Sequence, residues 1–393
     1  MVGYGLTMTE SVRDHSTEAV AHALGRTWRF IDLLHNASAR ELAVVAATVA
    51  LVWLPPVLLS AFRGWTVFRS FLTDCASQSR FLIILPVLML AAPMVSVRLT
   101  MVVHQLREFV PPGQVSKFQL GWSSFERLSN SRIVQVAIVL LTYAVVLWLI
   151  GYLNPHGVEI VSWWRGDGSG FAWFSPAGTW AAFVSYPILV YFTTIWLWRQ
   201  LIWTRFMLSM AHMDLRLIAA HPDTLGGIGF IGSALRGQRP FAFCMGVALA
   251  GAVANRIVHG GQRITSFGPV AAVLAAAVLL VCVAPYSAFM PALVQVRRRG
   301  ILSYGSLARA AGQQFEDKWL LPTEHDNLLA ASDFESINNL YGVVGNINNI
   351  QVIPVSRIDL YVLLATAFVP ALPVVLGSIP LETVARALVK MLI

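Results

Sequence analysis

Ile133-Val-Gln-Val-Ala-Ile-Val-Leu-Leu-Thr-Tyr-Ala-Val-Val-Leu-Trp-Leu-Ile-Gly-Tyr-Leu153 holds neither a charge nor a proline. At about 1.5 Å per residue a helix of this length crosses a hydrocarbon core ~30 Å thick. Six further apolar runs resemble it: 42–62, 81–97, 179–198, 240–257, 269–290 and 360–379. All seven are 17 to 22 residues long. The fold expected is therefore all-α, a polytopic transmembrane helix bundle of about seven spans with helical cytoplasmic extensions. Five of the runs carry prolines beyond their first residue: Pro55-Pro56, Pro86 and Pro93, Pro187, Pro285, and Pro370 with Pro373.

Composition agrees. Of 393 residues, 56% are hydrophobic and 12% charged, against about 25% charged in soluble domains. The net charge of +8 surrounds the spans, so a topology signal explains it without nucleic acid. With the N-terminus inside, 20 of the 28 Lys and Arg fall on the inner side. The weak loop is the first outer one, with Arg63, Arg69 and Arg80. Cys75, Cys244 and Cys282 show no paired spacing, so neither a disulfide framework nor a CxxC site is expected. Residues 1–42 carry charges throughout and lack an apolar signal-peptide core. The first span is then expected to drive insertion.

The organisation expected is as follows. Residues 1–41 form a cytoplasmic amphipathic segment. Residues 42–296 hold six spans with inner loops at 98–132 and 199–239. Residues 297–359 form a cytoplasmic helical segment. Residues 360–393 hold a last transmembrane span, or alternatively a broken or re-entrant segment at Pro370 and Pro373, and an amphipathic helix from Leu381. Ser38-Ala-Arg-Glu41 has the form of a capping box, as does Ser332-Asp-Phe-Glu335. The apolar spacing of Ile202, Phe206, Met210, Met213 and Leu217 extends the fourth helix inward to Ala220. The second runs to Val110, before Pro111-Pro-Gly. The sixth ends at Arg297-Arg-Arg-Gly300. Trp163, Trp164, Trp173, Trp180, Trp196, Trp198 and Trp203 read as interfacial anchors. Alanines and glycines smooth the fifth and sixth runs, which are expected to pack on each other or across a subunit boundary.

The densest polar stretch is His212-Met-Asp-Leu-Arg-Leu-Ile-Ala-Ala-His-Pro-Asp-Thr-Leu-Gly-Gly-Ile-Gly-Phe-Ile-Gly232. Three readings stay open. Pro222-Asp223 is a turn in which Asp223 caps a backbone N–H. Alternatively His221, Asp223, Gly226, Gly227 and Gly229, with His212 and Asp214, form a ligand site or an inner gate. Least favoured by spacing, His212, Asp214, His221 and Asp223 bind a metal. Gly227–Gly232 matches GxGxxG but lacks the preceding strand, so no nucleotide is expected. His104, Asn255 and Arg256 are candidates for a pore or cavity. Arg297, Arg298 and Arg299 are candidates for anionic lipid. No catalytic constellation and no cofactor is implied.

Asp214-Leu-Arg-Leu, His221-Pro-Asp223, Gly226-Gly-Ile-Gly-Phe230, Lys318-Trp-Leu320, Ser332-Asp333 and Ile379-Pro-Leu-Glu382 together resemble a group of uncharacterised bacterial multi-pass membrane proteins carrying an HPDxxGGxGF element. The resemblance implies a bacterial inner-membrane protein and carries no activity. The functional expectation is a homo-oligomeric channel or passive transport protein with an inner gate at this loop. A metal- or headgroup-dependent membrane enzyme and a signalling or scaffold protein are the alternatives.

Overall fold

The computed structural model describes residues 38–153, 163–166, 174–320 and 332–378. Among these the architecture is all-helical; the one strand-type pairing is an isolated bridge between Arg165 and Phe174. Seven segments are long and apolar enough to cross a membrane. They are α1 (Ala39–Phe62), α3 (Cys75–Glu108), α5 (Arg132–Leu153), α6 (Pro176–Ala211), the pair α7 (Gly232–Gly237) and α8 (Arg239–Gly260), α9 (Gly268–Ser287), and α12 (Arg357–Phe368) with α13 (Leu372–Ser378). Shorter or more polar helices connect them: α2 (Trp65–Leu72), α4 (Val115–Ser129), α10 (Met290–Trp319) and α11 (Ser332–Asn348). Of the expected amphipathic segment 1–41 all but residues 38–41, and the whole of the expected helix 381–393, lie outside the described residues.

Helix α1 starts as its sequence requires. Ser38 Oγ accepts from Glu41 N, and the Glu41 carboxylate accepts from Ser38 N at 2.8 Å. The same helix runs straight through Pro55 and Pro56. Each proline lacks an N–H and so frees the carbonyl four residues earlier, an expensive vacancy in lipid. Neighbouring helices fill these positions. Trp180 Nε1 donates to Leu51 O at 3.1 Å, opposite Pro55. Ser185 Oγ donates to Val52 O at 2.7 Å, opposite Pro56. Tyr143 Oη donates to Phe183 O at 3.3 Å, opposite Pro187. Gln200 Nε2 donates to Val281 O at 2.8 Å, opposite Pro285. The prolines thus become points where α6 is pinned to α1, α5 and α9.

Helix α8 is central, packed on α12 and on the first turn of α3, and touching α9. Its small residues make these approaches possible. A Cβ on Gly246 would stand 1.8 Å from the Ala367 carbonyl oxygen, and one on Gly251 would stand 2.1 Å from Ser79 Oγ. The smooth face of the fifth span therefore serves chiefly the second and seventh spans. On the sixth, Ala272, Ala276 and Ala277 are exposed.

Three expectations need correction. The fourth helix stops at Ala211 instead of Ala220, because His212 leaves helical geometry and its Nδ1 takes the Leu208 carbonyl at 2.6 Å. Met213 still reaches the core, by way of non-helical chain. The sixth span does not end at Arg297–Gly300. It ends at Ser287, and α10 runs through the triplet. Gly300 is a packing position rather than a stop, since a Cβ there would meet Ala219 Cβ at 2.7 Å. Nor do Trp163, Trp196 and Trp203 serve as interfacial anchors. Trp163 and Trp203 are fully buried, and Trp196 stacks on Phe241 at 4.0 Å. Trp163 Nε1 also donates to the buried carboxylate of Asp74 at 3.0 Å. In the last span a 3-10 turn at Val369–Ala371 separates α12 from α13.

Two of the arginines between the first two spans are engaged by the chain itself. Arg63 Nη1 donates to Arg165 O at 2.9 Å, and Arg80 Nη1 donates to Tyr186 Oη at 3.2 Å.

Candidate functional site: the elbow and the cavities beside it

Residues 212–231 form an elbow where α6 ends and the chain turns back toward α7. His221-Pro-Asp223 opens the tight part. Thr224 follows with φ 54°, then Gly226 with φ 67° and Gly227 with φ 94°. Glycine adopts such angles without a Cβ clash. At Gly227 the requirement is double, since a Cβ would also meet the Phe109 ring at 2.8 Å.

The Asp223 carboxylate organises this turn. Oδ1 accepts from Leu225 N at 2.8 Å and Gly227 N at 3.0 Å, and Oδ2 from Gly229 N at 2.9 Å. His221 Nδ1 stands 2.8 Å from Oδ1. Burial alone would raise the carboxyl's pKa. The three backbone N–H groups and His221 outweigh it and hold Asp223 below its ordinary range.

The elbow is joined to its surroundings through the backbone. Arg216 N donates to Phe109 O at 2.8 Å, Ile218 N to Gly226 O at 3.0 Å, and Gln351 N to Thr224 O at 2.9 Å. Ile228 and Ile231 are fully buried beneath it. The end of α3, the end of α6 and the strap before α12 therefore meet at one loop. With donors aimed at Asp223 from three directions, this geometry performs the capping chemistry of the turn reading.

The other candidates scatter. Asp214 accepts from Gln114 Nε2 at 3.0 Å, away from Asp223. Among the described residues no three His, Cys, Asp or Glu side chains are grouped so as to share a metal, and His212, Asp214, His221 and Asp223 are not brought together. His104 is exposed and lines neither cavity described below. Arg256 is exposed, and the neighbouring Asn255 Oδ1 is buried without a partner. The arginine triplet divides. Arg297 Nη2 donates to Asn348 O, at the C-terminus of α11, at 2.8 Å, whereas Arg298 and Arg299 are exposed.

Two cavities are notable, and the larger of them borders the elbow at His212 and Met213. The larger, about 550 Å³, separates α4 from the lower half of α6; Lys117, Arg205 and His212 stand over Phe125, Ile202 and Phe206. The smaller, about 250 Å³, enters the bundle between α3, α4 and α6. Ser96, Thr100, Asn130, Arg199, Gln200 and Gln238 contribute its polar wall. At its inner limit Gln238 is almost fully buried, and Tyr286 lies against Gln238 and Trp203. Gln238 Oε1, Tyr286 Oη and Trp203 Nε1 are all buried with no well-formed hydrogen bond.

None of the second cavity's polar residues had been singled out from the sequence. The available signal was two glutamines, Gln200 and Gln238, at the edges of apolar runs. Their convergence depends on helix packing and leaves no local spacing.

Comparison with protein-family models, curated proteins and solved structures finds no match. The chain is a multi-pass integral membrane protein on the strength of its own seven apolar helices.

Proposed function

We propose that this protein is a homo-oligomeric channel or passive transport protein of a bacterial inner membrane, admitting a small polar solute. The elbow end faces the cytoplasm, in keeping with the distribution of Lys and Arg. The reading rests on the smaller cavity, a polar-walled recess in an otherwise apolar bundle that is lined by the almost fully buried Gln238, whose Oε1 has no well-formed hydrogen bond. Polar groups at such depth cost stability unless a partner, water or solute meets them. The gate first placed at His221 and Asp223 moves accordingly. In this reading the elbow is a fixed joint, and the vestibule is walled by Arg199, Gln200 and Gln238.

The test is reconstitution into liposomes, with uptake of urea and glycerol followed by light scattering and K⁺ and Cl⁻ flux by dyes. Flux above protein-free vesicles is expected for at least one solute, reduced by Gln238→Leu. Absence of flux for all four, with protein shown to be inserted and helical, overturns the reading.

A further inference from the structure

Arg98, Arg236 and Arg239 come from α3, α7 and the first residue of α8, and the last two converge on one carboxylate. Arg239 Nη2 stands 2.8 Å from Asp359 Oδ1, and Arg236 Nε stands 3.6 Å from the same oxygen. The other oxygen, Oδ2, accepts from Ser356 Oγ at 2.9 Å. Arg98 lies across Gly237, where a Cβ would be 3.7 Å from its Cδ, and it is close enough to feel the charges of Arg236 and Arg239. Two guanidinium groups thus share one carboxylate, and a third arginine stands beside them.

This imbalance cannot be relieved by deprotonation, because arginine stays charged in proteins. It is also poorly relieved by water. The Arg239 side chain is 11% exposed and that of Arg236 33%, and Arg236 Nε is buried without a hydrogen bond. Charges held this way call for an anion.

The depth of the cluster narrows the choice. Arg98 directly follows the apolar run 81–97, Arg239 directly precedes 240–257, and Asp359 directly precedes 360–379. Three apolar runs therefore end at the same cluster, which marks the boundary of the hydrocarbon core. Phospholipid phosphates lie at this level, and basic pockets between spans select anionic headgroups. Guanidinium forks suit phosphate oxygens because they can donate in pairs.

We propose that Arg98, Arg236 and Arg239 bind a phosphate group, supplied by an anionic phospholipid at the elbow-end surface, with Asp359 positioning Arg236 and Arg239. The site is separate from the exposed Arg298 and Arg299, and it does not rest on the transport reading.

The experiment uses the full chain, delipidated in detergent, with thermal stability followed on adding phosphatidylglycerol, phosphatidylcholine or inorganic phosphate. Phosphatidylglycerol is expected to raise the midpoint and phosphatidylcholine to leave it unchanged. Arg98→Gln and Arg236→Gln should each lose roughly half or more of that rise, and R298Q/R299Q should retain it. Equal shifts with both lipids, or an undiminished shift in both single variants, overturn the proposal. An equal rise with inorganic phosphate alone overturns the lipid source in favour of a free anion. Should the glutamine variants not fold, Arg98→Lys and Arg236→Lys keep the charge. Native mass spectrometry of the wild type then decides, since release of phosphatidylglycerol as readily as phosphatidylcholine also overturns it.

Discussion

Ser185 donates its hydroxyl to the carbonyl of Val52 at 2.7 Å, filling the position that Pro56 leaves without an amide. Both residues are buried, so neither group has water as an alternative. Removing the hydroxyl strands the carbonyl. Ser185→Ala is expected to cost about 1–3 kcal/mol, and much less in a Pro56→Ala background, where a backbone N–H returns. A double-mutant cycle on thermal or denaturant unfolding measures the coupling. Equal costs in the two backgrounds would show that Ser185 does something else.

Two glycines in helices should respond oppositely to alanine. At Gly246 the new Cβ meets the Ala367 carbonyl oxygen at 1.8 Å, and a backbone atom cannot step aside. Gly246→Ala should separate α8 from α12 and lower stability by about 1–3 kcal/mol or more. Gly305, within α10, has nothing within 4 Å of its added Cβ. Gly305→Ala should gain about 0.5–1 kcal/mol from helix propensity. Thermal midpoints of the two variants in one detergent decide the matter.

Asp223→Asn tests the elbow. Leu225, Gly227 and Gly229 all donate to the carboxylate, and an amide offers them one oxygen in place of two. A loss of about 1–3 kcal/mol is expected, with faster amide exchange at these three residues. The carboxyl's pKa is lower folded than its ordinary 3.8, so the sign is fixed. Its stabilisation is fully present above that ordinary value and is lost as pH falls through the lower folded one. Wild type should therefore lose stability in that acid window by more than Asp223→Asn does. Parallel pH profiles would count against the clasp.

The arginine triplet should not behave as a unit. Arg297 holds the last carbonyl of α11, where a cation also favours the helix C-terminus. Arg297→Gln should loosen the α10–α11 hairpin by about 1 kcal/mol. Arg298→Gln and Arg299→Gln, at exposed positions, should change stability little. Limited proteolysis of the three variants separates the outcomes: indistinguishable cleavage rates would remove the special role of Arg297.

Sequence by itself determined the class of this protein and its seven spans, because crossing a membrane is a matter of local length and hydropathy, legible in runs such as 133–153. It also placed the start of α1 at Ser38 and the HPD turn at residues 221–223, since capping and turn chemistry act over a few residues. Tertiary structure alone decided which side chains answer the carbonyls freed by Pro56 and Pro285: Ser185 for Val52, 133 residues away, and Gln200 for Val281, 81 residues away. It turned Trp163 and Trp203 inward, and it ended α6 at Ala211 despite an apolar spacing that continued. It also brought Arg98 beside Arg236 and Arg239, the latter two on Asp359, and Gln200 and Gln238 into one recess. The physical reason is common to all of these. A buried polar group must find a partner, and in a helical bundle the partner comes from whichever helix packs alongside, a relation that no local pattern records.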